Sequence, residues 1–391
     1  MSLYYCGIDI SKYKHDCCII SAADQKVVAK LTFKNNRAGF EKFLSTLNSF
    51  SNPKDIEIGF ESTSHYALNL ELFLENSNHS FMEVNPVLIS EFKKSFSLRR
   101  TKTDSVDCEL IARWLMSAEH KPHSKGFYHS YDLKPLTRLR DRLVRQRSLY
   151  LVKITNILDH TFPEFKPFFN ERFSTTALFL LENYGSAEKI SRMNQASYEK
   201  LRKVSRGKFS IQKFLELKEL AANTVGVENT TFNFELTTLI TLLKTINKEI
   251  TNVENEIIRL VSEINPHFLT IPGIGPISAA VICAEYGDIS SFSTPAKMLA
   301  YAGLEPGIND SGTESHGGRM VKHGSSMLRF TLLNCCMPLI RFDLTFATYY
   351  AKKRREGKSH RVAMTHVAKK LIRVIHALEK QGIDYDPIKL H

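Results

Sequence analysis

One stretch restricts the possible folds more than any other. Leu236, Leu239, Leu243, Ile246, Ile250, Val253, Ile257, Leu260 and Ile264 alternate three and four residues apart without a miss. That spacing puts every apolar side chain on one stripe of a helix, and sustained over four heptads it predicts a coiled coil. A helix of this kind cannot bury its stripe alone. Its partner is either the helix expected at 134–160 or another subunit, and the spacing leaves both open. Asn247 and Asn252 fall off the seam, so no buried polar residue sets its register.

The first third of the chain has a different rhythm. Residues 3–9 read as a buried strand ending in Asp9, and 15–22 and 26–33 follow as strands separated by a turn at Ala23–Gln25. Arg37–Leu47 is helical through Phe40, Phe43, Leu44 and Leu47. Residues 55–61 form another strand, ending in Glu61; a helix over His65–Glu75 and a short strand at Ser80–Val84 complete the series. Three strands followed by alternating helix and strand predict an α/β sheet with helices packed on it. Asp9 and Glu61 both close predicted strands, where ligands bind in open α/β sheets.

Two further acids open a helix. Asp104 and Asp107 begin Lys102–Arg113, with Ile111 and Leu115 behind them at helical spacing. Three residues apart, both carboxylates project from one face of the first turn. Short acidic side chains on a rigid face suit a hard divalent cation such as Mg2+. An N-cap at Asp104 with Asp107 in a capping-box-like position explains the same residues without a metal. Asp9, Glu61, Asp104 and Asp107 brought to one end of a sheet would repel one another unless cations neutralised them. Two Mg2+ about 4 Å apart would do so and would clamp the attacking and leaving oxygens of a phosphodiester.

Composition supports a polyanionic partner. The chain has 53 Lys and Arg against 41 Asp and Glu, a formal charge of +12, which favours phosphate contacts through counterion release. Its 391 residues suggest two or three domains. No run of about 18 apolar residues occurs, so no transmembrane helix is expected. Met1–Tyr5 lacks a charged segment and leads into a strand, so no signal peptide is expected. The seven cysteines form no C-x-x-C pair, and Cys17-Cys18 and Cys335-Cys336 are adjacent, a poor geometry for zinc or simple disulfides. Buried reduced thiols in a cytosolic protein are the expectation.

Lys134–Lys153 reads as a basic helix with Arg138, Arg142 and Arg145 on one face and Leu136, Leu139 and Leu143 as an apolar seam. A solvated charged face is the usual explanation of such a run, but like charges at that spacing cost stability, which together with the net charge points to nucleic-acid contact. Residues 161–231 give short helical patterns and little more. Leu269–Ala280 has the form of a helix-hairpin-helix, in which Gly273 and Gly275 would bring amide N–H groups near a phosphate. A tight helix–helix connection is the plainer explanation. Ala296–Gly303 reads as a helix, and 304–324 as a loop rich in Gly, Ser and basic residues. Helices are expected again at Ser326–Pro338 and Arg361–Lys380, with a basic cluster at Lys352–Arg355 between them.

The order Gly7-Ile8-Asp9, Gly59-Phe60-Glu61 and Lys102-Thr103-Asp104-x-x-Asp107 resembles the DEDD-type transposases of bacterial insertion sequences, relatives of the Piv invertases that include RNA-guided bridge recombinases. Ile271–Pro276, Tyr301-Ala302-Gly303-Leu304-x-Pro306, Ser311-Gly312 and Lys322-His323-Gly324 extend the resemblance over nearly the whole chain. It implies a RuvC/RNase-H-like domain over 1–125 holding Mg2+ on Asp9, Glu61, Asp104 and Asp107. A basic helix and coiled coil over 126–265 and a helical transposase domain over 266–391 would follow. It also implies a serine that attacks DNA to form a phosphoserine link. Ser311 matches best, with Thr313 and Ser315 close by; Arg319, Lys322 and His323 could then bind the phosphate and offset its developing charge. Homodimers or homotetramers, donor and target DNA, and a structured guide RNA are the implied partners, in a nucleoid-associated cytoplasmic protein. An active site can then join acids of one subunit to the serine of another. Two alternatives stand beside this reading: a RuvC-like nuclease that activates water, and a non-catalytic nucleic-acid scaffold.

Overall fold

The sheet grows outward from the strand that carries Asp9, which runs one residue further than expected, to Ile10. β1 (Tyr4–Ile10) pairs antiparallel with β2 (Lys14–Ser21), and β2 pairs antiparallel with β3 (Val27–Lys34). On its other side β1 runs parallel to β4 (Ile56–Glu61), which runs parallel to β5 (Phe81–Val84), giving the order β3-β2-β1-β4-β5. The central strands are apolar on both faces because helices cover both. α1 (Arg37–Phe50) starts where the Asn36 side chain accepts a hydrogen bond from the Gly39 amide at 2.9 Å. Its Phe40 and Phe43 meet Cys6, Ile8 and Phe33 on one face of the sheet, with Phe33 and Phe43 stacked at 4.4 Å. α2 (Leu68–Asn76) adds Leu70 and Leu74 to this layer. α3 (Pro86–Phe96) and α4 (Asp104–Ser117) follow; α3 has no counterpart among the sequence-based expectations.

This computed structural model describes residues 3–61, 66–84, 86–96, 104–117, 128–169, 173–311, 314–320, 322 and 324–387. For Val87, Ser95, Phe96, Asp104, Ser105, 128–131, 306–311 and 314–319 it describes the backbone alone. The chain divides into two compact units, Met1–Lys125 and Gly126–His391.

α4 lies against the other face of the sheet, and two glycines let it approach. A Cβ on Gly7 would stand 2.2 Å from the Cys108 carbonyl oxygen and 2.4 Å from the Ala112 nitrogen. A Cβ on Gly59 would meet the Leu115 side chain at 2.7 Å. The Leu115 methyls can yield, but the α4 backbone cannot without moving the helix. Gly7→Ala is therefore expected to destabilise the first unit by about 3 kcal/mol, the upper end of overpacking costs. Faster hydrogen exchange of the α4 amides would report it; unchanged protection would mean that α4 does not seat on Gly7.

In the second unit α5 (Tyr128–Thr161) and α11 (Thr230–Ile264) are long helices packed on each other. Leu236, Leu239, Leu243, Ile250, Ile257 and Leu260 are buried, so the heptad stripe is covered within the chain. α11 begins where Asn229 caps the Thr231 and Phe232 amides and ends at Asn265 in the left-handed region, φ 45°. Around one end of the pair α6 (Phe165–Phe168), α7 (Thr175–Asn183), α8 (Ala187–Ser191), α9 (Gln195–Val204) and α10 (Ile211–Ala222) build a core on Phe162 and Phe165. Here the sequence periodicity is weakest, because the helices are too short to repeat it.

At the other end a second core forms from α12 (Pro276–Tyr286), α13 (Pro295–Tyr301), α14 (Ser326–Phe342), α15 (Leu344–Arg355) and α16 (His360–Gln381). The segment expected to be a loop is mostly a β-hairpin, β6 (Pro306–Ser311) with β7 (Glu314–Met320). Backbone pairing absorbs the polar groups that a loop would leave to water. Among the described residues no single helix is long and apolar enough to cross a membrane.

Candidate active site

Strand alternation decides where the first two acids face. Cys6 and Ile8 point to α1, so Tyr5, Gly7 and Asp9 point to α4. β1 and β4 are paired through Ile8 and Phe60, and Asp9 and Glu61 are the next residue on each strand. Parallel neighbours in register share a face, so both acids lie on the side covered by α4. That helix runs opposite to β1: Tyr5 packs against the cluster of Leu110, Ile111 and Leu115, and Gly7 lies under Cys108 and Ala112. The C-terminal end of β1 therefore lies toward the first turn of α4, which opens at Asp104 and carries Asp107. The Asp104 side chain lies outside the described residues.

Asp107 is half-buried and already has a cation. Lys93, in the last turn of α3, places Nζ 2.7 Å from Asp107 Oδ1. Glu109 is held separately, by Lys30 Nζ at 2.9 Å and Arg113 Nη2 at 2.9 Å. Burial would raise the Glu109 carboxyl, but these two hydrogen bonds outweigh it and hold the group below its usual range. Asp16, on β2, stands directly opposite Asp9 in the antiparallel register. It accepts a hydrogen bond from the Thr32 hydroxyl and pairs with Lys14 at 3.2 Å. Neither Lys93 nor Asp16 is among the residues that sequence reasoning selects. Pro86 followed by Leu88, Ile89 and Phe92 is the available signal for α3, and the β1–β2 register the signal for Asp16.

Among the described residues no three His, Cys, Asp or Glu side chains stand close enough to hold a metal. The donor chemistry on this face of the sheet nonetheless selects among cations. Burial pushes the Cys18 and Cys108 thiols up to about 12, so they stay protonated at neutral pH. The groups that can ligate there are carboxylates, which suit Mg2+ and not a thiolate-seeking metal.

In the second unit the predicted contacts separate. Arg138 Nη2 lies 2.7 Å from Glu285 Oε1, whose side chain is only 3% exposed, so Arg138 ties α12 to α5. Arg145 is exposed and pairs with Asp141 at 2.9 Å, and Arg142 is exposed. Gly273 has φ 93° and a Cβ there would meet Pro338 of α14 at 2.9 Å, so it serves internal packing. Gly275 caps α12 with open space around it. Ser311 ends β6 at the hairpin tip, its backbone opposite Glu314, while Ser315 lies opposite Asp310. The side chains of Ser311, Ser315 and Arg319 lie outside the described residues, as do Thr313 and His323. Lys322 is exposed with φ 54°.

Two family profiles match the chain. A DEDD-type profile of the IS110 kind, described as "Transposase", matches residues 6–163, and "Transposase IS116/IS110/IS902 family" matches residues 265–351. The chain is 26% identical to an IS110 insertion-element protein of Streptomyces coelicolor, over 73% of this chain and 72% of that one. It is 22% identical to a pilin gene-inverting protein of Moraxella bovis, over 99% and 98%. It is also 23% identical to a putative mini-circle transposase for IS117 of Streptomyces coelicolor, over 95% and 92%.

Proposed function

We propose that this chain, which carries transposase domains of the IS110/IS116 family, is an Mg2+-dependent DNA transposase-recombinase that works through a serine–DNA link. One observation carries the reading: Asp9 and Glu61 lie at the C-terminal ends of adjacent parallel strands, Asp9 one residue from the end of β1 and Glu61 the last of β4, on the face where α4 brings its first turn and Asp107. The order β3-β2-β1-β4-β5, antiparallel then parallel, supports a RuvC-like domain. Asp9, Glu61, Asp104 and Asp107 would hold Mg2+. When bound, Mg2+ polarises a phosphate oxygen and stabilises charge developing on it.

The serine step is a transesterification. The Ser311 Oγ–P bond forms as the bond to a DNA 3′ oxygen breaks, and the serine proton ends on that oxygen. A second 3′ hydroxyl then attacks the phosphorus and releases the serine. Arg319 and Lys322 would neutralise the phosphate. Donor and target DNA are the substrates. The exposed Arg142 and Arg145 of α5 suit a structured guide RNA, and the chain acts as a homodimer or homotetramer. Incubation with element-end DNA in Mg2+, followed by denaturing electrophoresis, tests the reading. A covalent protein–DNA adduct is expected; cleavage to free 5′-phosphate ends with no adduct would instead indicate a nuclease that activates water.

Lys93 bears on metal loading, because a cation arriving at Asp107 must displace its ammonium. Lys93→Met keeps the stem and removes the charge. A partly exposed pair contributes about 1 kcal/mol, so Mn2+ should bind the variant about fivefold more tightly. Titration followed by electron paramagnetic resonance measures this; unchanged affinity would remove Asp107 or its lysine from the metal equilibrium.

A further inference from the structure

His366, Lys369, Lys370 and Arg373 fall at i, i+3, i+4 and i+7 on α16 and share one face. From His360 to Leu378 this helix carries no acid. The packed helix α15 adds Lys353, 5.5 Å from the Tyr349 ring centroid. Lys370 lies 5.2 Å from the same ring and 5.4 Å from Phe346. Lys353 and Lys370 thus stand over aromatic rings, which favour cations.

The acids nearby neutralise Lys353 on α15 but not the cations of α16. Glu356 pairs with Lys353 at 2.9 Å. Asp343 accepts from the Phe346 amide at 3.0 Å and from the Tyr385 hydroxyl at 2.7 Å. Glu305 acts on Lys369, yet burial and then Arg373 outweigh it and hold Lys369 below its usual range. Burial does the same to His366 and Lys370, with Lys353, Lys369 and Lys358 adding to it at His366. Partly desolvated cations crowded in this way are relieved by an anion. α16 packs against α13, which ends shortly before β6, and Glu305, immediately before β6, acts on Lys369, so Lys369 lies toward the base of the hairpin that carries Ser311.

We infer that the His366–Lys369–Lys370–Arg373 face is a track for the phosphodiester backbone of a DNA strand running to the hairpin. This rests on the DNA-recombinase reading above. His366 to Arg373 spans about 10 Å along the helix, room for two or three phosphates of one strand.

The test separates binding from chemistry by using the full chain with Asp9→Ala. Fluorescence anisotropy with a labelled duplex of element-end sequence is followed from low to high salt. Lys369→Gln with Arg373→Gln is expected to reduce the slope of log affinity against log salt by about 2, and to weaken binding about tenfold or more at 0.1 M salt. Lys369→Arg with Arg373→Lys should restore the slope, and circular dichroism should show all variants folded. A parent-like slope in the Gln variant overturns the track. A loss seen only with an RNA of the same sequence also overturns it and assigns the face to RNA. If the Asp9→Ala chain itself binds no DNA, the recombinase reading fails first, and the two failures are distinct.

Discussion

Asp9→Ala should reduce Mg2+-dependent strand cleavage by about a thousandfold or more while leaving the fold in place. The catalytic loss follows from the proposed role. Metal-held charge stabilisation contributes several kcal/mol in the transition state, and each 1.36 kcal/mol is a factor of ten in rate. Removing one ligand from a strand end leaves the cation misplaced or unbound. The small structural cost follows from the register: Asp9 stands opposite Asp16, and like charges directly opposite on antiparallel strands are destabilising. Thermal unfolding should therefore move little. Asp107→Ala should be equally inactive, with its Lys93 released to partial solvent rather than buried without a partner. Single-turnover cleavage in Mg2+ is the measurement. Parent-like rates in either variant would show that the four-acid assignment is wrong.

Ser311→Ala should remove any covalent adduct and stop strand exchange, yet leave DNA affinity and its salt dependence close to the parent's. A serine hydroxyl is a weak nucleophile near neutral pH until its proton is taken up, so the reaction has no substitute when Oγ is absent. Binding, by contrast, would rest on phosphate contacts elsewhere. Ser315 lies further from the hairpin tip, paired through the backbone with Asp310, whereas Ser311 is the last residue of β6. Ser315→Ala should accordingly cost much less. Normal release of free 5′-phosphate ends by Ser311→Ala would make water the nucleophile.

Periodicity is legible where a side chain's environment is set by its own element. The strands carrying Asp9 and Glu61 and the α11 stripe are all visible as spacing; the strands agree with the structure to within a residue, and α11 ends at Ile264 as the stripe does but begins six residues before Leu236. Partnership is not legible. The heptads demand a partner helix without saying whose, and only the fold supplies α5. The Arg138, Arg142 and Arg145 face looks uniform in sequence, yet Arg138 meets Glu285 from a segment 147 residues away. Lys93 escapes notice for the same reason: its importance lies in a carboxylate on another helix. The pairing of β6 with β7 is hidden because Gly, Ser and Asn have weak strand propensity, and pairing overrides it.

The α5–α11 pair joins two cores of the second unit, one including Leu243 and the other including Ile257. Those residues are 14 positions apart, about 21 Å along a helix that rises 1.5 Å per residue. Because each residue also turns about 100°, distance and phase cannot be changed separately. Inserting one residue in α11 alone would lengthen the gap by about 1.5 Å and swing one core around the axis by about 100° relative to the other. Only matched heptads added to both helices would lengthen the spacer while keeping the stripe inward. Evolution of this span is thereby quantised: its length can drift in steps of about 10 Å, and intermediate lengths cost the packing of the seam.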